Sequence, residues 1–148
     1  MNNRINYYTI SKDGMNNMLL MESYLSSSTT LEPKLMELVK VRVSQINKCA
    51  YCIDTHFQTA LELGETQQRL VLLSAWKEAN IYSDRETMAL KLAELVTHIS
   101  NQGISETIYK QSLQYFDEKE YVDLILLINQ INSWNRLSIS MGNQVTLR

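Results

Sequence analysis

Cys49-Ala50-Tyr51-Cys52-Ile53-Asp54-Thr55-His56 holds both cysteines of the chain and one of its two histidines. In a helix, at about 100° per residue, Cys49, Cys52 and His56 fall within about 60° of one another on one face. A dithiol beside an imidazole is a redox site or a metal site. The spacing permits a disulfide across adjacent turns, and the unpaired N–H groups and dipole of a helix N-terminus stabilise a thiolate. Cys49 stands closest to that end and Cys52 one turn in. His56 is four residues after Cys52, so its imidazole can approach that sulfur, while Cys49 is almost two turns away. This favours Cys52 as the activated thiol. A protonated imidazole would lower the thiol pKa by charge and a neutral one would take the proton; the sequence leaves both open.

Outward from this stretch the chain reads as nearly all helix. One proline and four glycines in 148 residues leave few breaks, and no alternating run bounded by turn residues suggests a hairpin. Towards the N-terminus, Asn47-Lys48 makes a short break. Before it, Pro33 opens a helix whose face carries Leu35, Leu38, Val39, Arg42, Val43 and Ile46, with proline in the first turn where its missing N–H does no harm. So short a link sets these two helices antiparallel, with the first one's side chains over the cysteines. Ser11 caps an earlier helix through Met15, Met18, Leu19, Glu22 and Leu25, and residues 1 to 10 are an irregular lead-in.

Towards the C-terminus, the cysteine helix runs to Gly64, a natural stop. Thr66 caps a helix carrying Leu70, Leu73 and Trp76. Ser83-Asp84-Arg85-Glu86 is a capping box opening a helix that ends at Gly103, and Ser105 caps a shorter one. Asp117-Glu118-Lys119-Glu120 repeats the capping pattern before a long helix to about Met141, in which Leu124 to Ile128 is apolar almost all round and is expected to be buried on several sides. The fold class expected is all-α, a helical bundle of about seven helices, and 148 residues are most simply one domain, 1–148.

Composition narrows the function. Apolar residues make up 45% and charged residues 20%, the balance of an ordinary globular protein. A formal charge of −2 and a pI near 5.7 mark no nucleic-acid or anionic-membrane surface. There is no secretory signal pattern and no apolar run near the ~20 residues of a membrane span. The expectation is a cytoplasmic protein without nucleic-acid or membrane partners, and in that reducing setting a Cys-x-x-Cys pair is catalytic or metal-binding rather than a permanent staple.

Glu37 lies twelve residues before Cys49, on a helix that folds back over the thiols. A carboxylate against a bare thiolate would raise the thiol pKa by like-charge repulsion, so its useful role is to hold His56 or a water as a proton relay. Together Glu37, Cys49, Cys52 and His56 form Glu-x11-Cys-x2-Cys-x3-His. This pattern resembles the carboxymuconolactone decarboxylase-like superfamily, and within it the alkylhydroperoxidase D-like branch. Val41 to Asn47, Gly64 to Thr66, Arg69 to Trp76 and Ile131 to Leu137 are similar to that branch too, so the resemblance covers roughly residues 15 to 140.

The resemblance implies an all-helical, homo-oligomeric protein, a trimer or hexamer, with thiol-dependent peroxidase or disulfide-reductase activity and no metal or organic cofactor. Carried over by position, Cys52 attacks the peroxide and becomes a sulfenic acid, and Cys49 resolves it to a disulfide. Glu37 and His56 form the proton relay. A lipoyl or thioredoxin-type dithiol donor restores the dithiol through the more exposed Cys49. One departure stands inside the motif: peroxidase members can place a second histidine between the cysteines, where this chain has Tyr51, read as a packing aromatic.

Three other readings use the same residues. Zinc could take Cys49, Cys52, His56 and Glu37, but the second paired motif is missing and three ligands on one helix face strain a tetrahedron. Lactone decarboxylation would need acid–base residues and no dithiol. A non-enzymatic oligomer could use the dithiol to sense redox state. His98, outside the motif, reads as an ordinary surface or packing histidine.

Overall fold

A computed structural model describes residues 4–148, so the first three residues of the expected lead-in lie outside it. The described residues contain no strand, and the all-helical expectation holds. The helices are α1 (Tyr7–Ile10), α2 (Lys12–Ser27), α3 (Pro33–Ile46), α4 (Ala50–Glu62), α5 (Gln67–Leu72), α6 (Asp84–Thr97), α7 (Ile99–Gln102), α8 (Glu106–Ser112) and α9 (Glu118–Met141). A 3-10 turn, Leu73–Ala75, extends α5 towards Trp76.

The expected starts are present. The side chains of Thr66, Ser83, Ser105 and Asp117 each accept a backbone N–H of the first helical turn, and Ser83 and Asp117 complete capping boxes with Glu86 and Glu120. Two single-turn helices were not expected. In the lead-in, the Asn6 side chain accepts from Thr9 N–H and starts α1. The helix opened by Ser83 stops at Thr97 instead of Gly103, and α7 follows. The buried stripe of α6 ends at Val96, and beyond it Ile99 is exposed, so no apolar contact holds the chain in one continuous helix.

The helix α3 lies at the centre, packed against α4, α6 and α9. Its apolar positions separate into two sets. Leu35, Val39 and Val43, spaced by four, join a core with Leu92, Leu124, Leu127, Ile128 and Ile131. Leu38 and Val41, spaced by three, join a second core with Leu70, Leu73, Trp76 and Leu90. A helix buried on opposite sides in this way needs more than one apolar stripe. The third side of α3, through Glu37 and Ser44, is polar yet also buried, and on it the functional residues meet.

Candidate active site

The break between α3 and α4 places the cysteines. Lys48 adopts φ 57°, a left-handed conformation that costs a non-glycine residue about 1–2 kcal/mol. Hydrogen bonds hold it there. Cys49 N–H donates to Ser44 O at 3.0 Å. The Asn47 amide donates to Asn132 Oδ1 and Asn135 Oδ1, each at 2.9 Å, and Asn135 Nδ2 donates to Ser44 Oγ at 3.0 Å. Asn132 and Asn135, on α9, therefore fix the turn that feeds the cysteine helix; both lie in the stretch Ile131 to Leu137 that resembles the family.

Cys49 is the N-cap of α4 and Cys52 lies in its first turn. The two are joined as a disulfide with Cα atoms 5.3 Å apart. Both are buried, Cys49 at 1% exposure and Cys52 at 4%, and it is Cys52 that lines a cavity of about 470 Å³ beside His56. The expectation that Cys49 is the more exposed sulfur is therefore corrected. Drawn by its N–H onto Ser44 O, Cys49 is tucked against the end of α3, while Cys52, one turn on, faces the opening.

Glu37 reaches the site from α3. The residue is 6% exposed, so it is not a solvated surface glutamate, and its Oε2 lies 2.8 Å from His56 Nδ1. Lys40 Nζ donates to Glu37 Oε1 at 3.1 Å. Burial acts to raise the Glu37 carboxyl, but the hydrogen bond and charge of His56 and the ammonium of Lys40 outweigh it and hold the group below its ordinary value. Glu37 is thus a carboxylate, which can only accept, so Nδ1 of His56 carries the hydrogen. With Nδ1 so engaged, Nε2 is the ring nitrogen left to exchange a proton with a neighbouring group.

Residues outside the motif complete the arrangement. Lys40 Nζ also stands 3.7 Å from Glu22 Oε2 on α2, and Trp134 Nε1 on α9 donates to Glu22 Oε1 at 2.7 Å. Glu22, Lys40 and Trp134 carry no spacing signal that ties them to the cysteines, although the i,i+3 relation of Glu37 and Lys40 on one helix face could have been read. Tyr51, expected to pack, is 42% exposed and forms part of the cavity wall. His98 is exposed, as expected. Among the described residues no group of three or more His, Cys, Asp or Glu side chains is arranged to hold a metal ion, and no helix is long and apolar enough to cross a membrane.

Comparison with known proteins identifies a family and a shared fold. The family model described as carboxymuconolactone decarboxylase family matches residues 14–95. The uncharacterized protein YdfG of Bacillus subtilis is 46% identical over 97% of both chains. A solved structure from Agrobacterium tumefaciens, a protein of unknown function assigned as a candidate antioxidant defence protein AhpD, is 31% identical with a TM-score of 0.93, covering 99% of this chain and 100% of that one. An uncharacterized peroxidase-related protein from Ralstonia eutropha, described as an alkylhydroperoxidase AhpD core, shares the fold with a TM-score of 0.83 at 15% identity, over 94% of this chain and 74% of that one.

Proposed function

Because the chain belongs to the carboxymuconolactone decarboxylase family, in its alkylhydroperoxidase D-like branch, we propose that it is a thiol-dependent oxidoreductase reducing a hydroperoxide or a disulfide through a reversible Cys49–Cys52 disulfide. The observation that carries the reading is the placing of Cys52 in a cavity beside His56, whose ring is held by buried Glu37. No cofactor enters the chemistry.

In the reduced protein, His56 Nε2 takes the Cys52 proton, and the ionised Glu37 stabilises the imidazolium that results. The N–H groups at the start of α4 favour the thiolate. The thiolate attacks the terminal oxygen of a hydroperoxide, the O–O bond breaks, and the leaving alkoxide takes the imidazolium proton to depart as an alcohol. Cys52 is now a sulfenic acid, two electrons oxidised. Cys49 attacks that sulfur, and water leaves as the disulfide forms.

Reduction requires a dithiol donor of the lipoyl or thioredoxin type. Its first thiolate attacks Cys52 Sγ from the cavity and expels Cys49. Its second thiol then attacks the donor sulfur of the mixed disulfide, releasing Cys52 and the oxidised donor. This route follows from the burial of Cys49 and replaces exchange at an exposed Cys49. A cytoplasmic location and a homo-oligomer, a trimer or hexamer, belong to the same reading.

Steady-state consumption of an organic hydroperoxide with a dithiol donor tests it. Cys52→Ser abolishes turnover, and Cys49→Ser leaves Cys52 as a sulfenic acid or mixed disulfide that mass spectrometry detects. Turnover surviving in Cys52→Ser refutes the mechanism. Stoichiometric oxidation of the wild type with no turnover under any donor identifies a redox sensor instead.

A further inference from the structure

The cavity at Cys52 has a mixed wall, part aromatic and aliphatic and part polar. The rings of Tyr7, Tyr8, Tyr51 and Trp134, with Leu19 and Val145, supply its apolar half, and uncharged polar side chains such as Thr55 and Asn143 supply much of the rest. Its volume of about 470 Å³ lies in the range of sites that enclose a small organic molecule, far larger than hydrogen peroxide requires. Two parts of the chain distant in sequence close it: Tyr7 and Tyr8 of α1, and the segment 143–146 after α9. Both are anchored. Asn143 Nδ2 donates to Tyr7 Oη at 3.0 Å, and Arg148 pairs with Asp54 of α4 at 2.7 Å.

The wall holds one carboxylate, Glu22, and one imidazole, His56. Glu22 is its permanent charge, and among the described residues no lysine or arginine lines it. Lys40 stands behind Glu22, but its ammonium is shared with Glu37, so two carboxylates face one ammonium. An anionic group entering the cavity of the oxidised chain, in which His56 has taken no proton from Cys52, loses water, meets Glu22 and finds no lysine or arginine to replace its solvation.

We propose that this cavity binds the uncharged, aromatic or branched-alkyl body of an organic substrate and discriminates against carboxylate-bearing ones, with Glu22 as the specificity-determining residue. The proposal rests on the oxidoreductase reading for the use made of the bound molecule, but binding itself tests it without turnover.

The probes are 2-phenylpropan-2-ol, the alcohol left by an aryl-alkyl hydroperoxide, and the same alcohol with a para-carboxylate, titrated by calorimetry into the oxidised full chain at pH 7. The neutral alcohol binds the wild type about tenfold or more tightly than the carboxylate, a ratio equivalent to about 1.4 kcal/mol. Glu22→Gln keeps an oxygen acceptor for Trp134 and narrows that ratio towards one. Thr55→Trp, which fills the cavity from α4, abolishes binding of the neutral alcohol, and circular dichroism verifies that each variant is folded. Equal or tighter binding of the carboxylate by the wild type overturns the proposal, as does absence of binding by the neutral alcohol, an unchanged ratio in Glu22→Gln, or undiminished binding in folded Thr55→Trp. If this binding pattern holds while no hydroperoxide or disulfide is turned over, the oxidoreductase reading fails and the site stands.

Discussion

Glu37 is buried against His56 and Lys40, and those neighbours favour its ionised form. Its folded pKa lies below the ordinary 4.5, so the stability the pair contributes is present above that value and lost as pH falls through the lower folded one. At neutral pH Glu37 stays charged and holds the His56 ring through Nδ1. In reduced Glu37→Gln the imidazolium loses its partner, and the Cys52 thiol pKa rises. A rise of one unit, about 1.4 kcal/mol, slows alkylation by iodoacetamide below the thiol pKa about tenfold, and the rate against pH measures it; an unchanged thiol pKa removes Glu37 from the relay. The motif made Glu37, Cys49, Cys52 and His56 legible because helical spacing and one antiparallel turn bring them together. Glu22, Lys40 and Trp134 join through contacts between α2, α3 and α9, which no local periodicity encodes. The burial of Cys49 is not legible in the sequence, because N-cap position alone does not say whether the cap faces solvent or the preceding helix.

At the scale of elements, the junction of α3 and α4 matters most to the site. Lys48 at φ 57° is a position that glycine fills without a Cβ clash. Lys48→Gly is neutral to stabilising by about 1 kcal/mol, whereas Lys48→Val, β-branched, lowers the denaturant midpoint. Asn135→Ala strands partners in the buried amide network and costs about 1–3 kcal/mol in the same measurement. A second tie joins α3, α6 and the turn after α5. Glu94 accepts from Arg42 and Trp76 and pairs with Lys77. Burial opposes its charge, but hydrogen bonds from Lys77, Trp76 and Arg42 prevail and hold the carboxyl at about 2. Its contribution is present above the unfolded value near 4.5 and is lost as pH falls towards 2. The stability difference between wild type and Glu94→Gln, from urea unfolding, is therefore constant above about pH 5 and shrinks below it. Capping boxes at Ser83 and Asp117 and the glycine stop at Gly64 were readable because they are local. The end of α6 at Thr97 was not, because it depends on where burial against the rest of the fold runs out.

At the scale of the whole molecule, the site is closed by residues near both ends of the described chain, with Tyr7 and Tyr8 facing 143–146 across the cavity. The single turn α1 is not legible in residues 1 to 10, because one helical turn has too little periodicity to detect. Ile10 at 70% exposure and Leu20 at 66% leave apolar surface outside the core, and the proposed homo-oligomer offers cover for it. Sedimentation at micromolar concentration then gives a species several times the 17.2 kDa chain; a 17.2 kDa species throughout removes the trimer or hexamer from the reading. The central claim, that Cys52 reduces an organic hydroperoxide and Cys49 closes the disulfide, is tested most directly in a single turnover. Fully reduced protein is mixed with one equivalent of cumene hydroperoxide, and alcohol formed and disulfide formed are counted together by chromatography and intact mass. The account predicts one cumyl alcohol and one Cys49–Cys52 disulfide per chain, with neither in Cys52→Ser. Hydroperoxide left intact by the wild type, or consumed equally by Cys52→Ser, would contradict it.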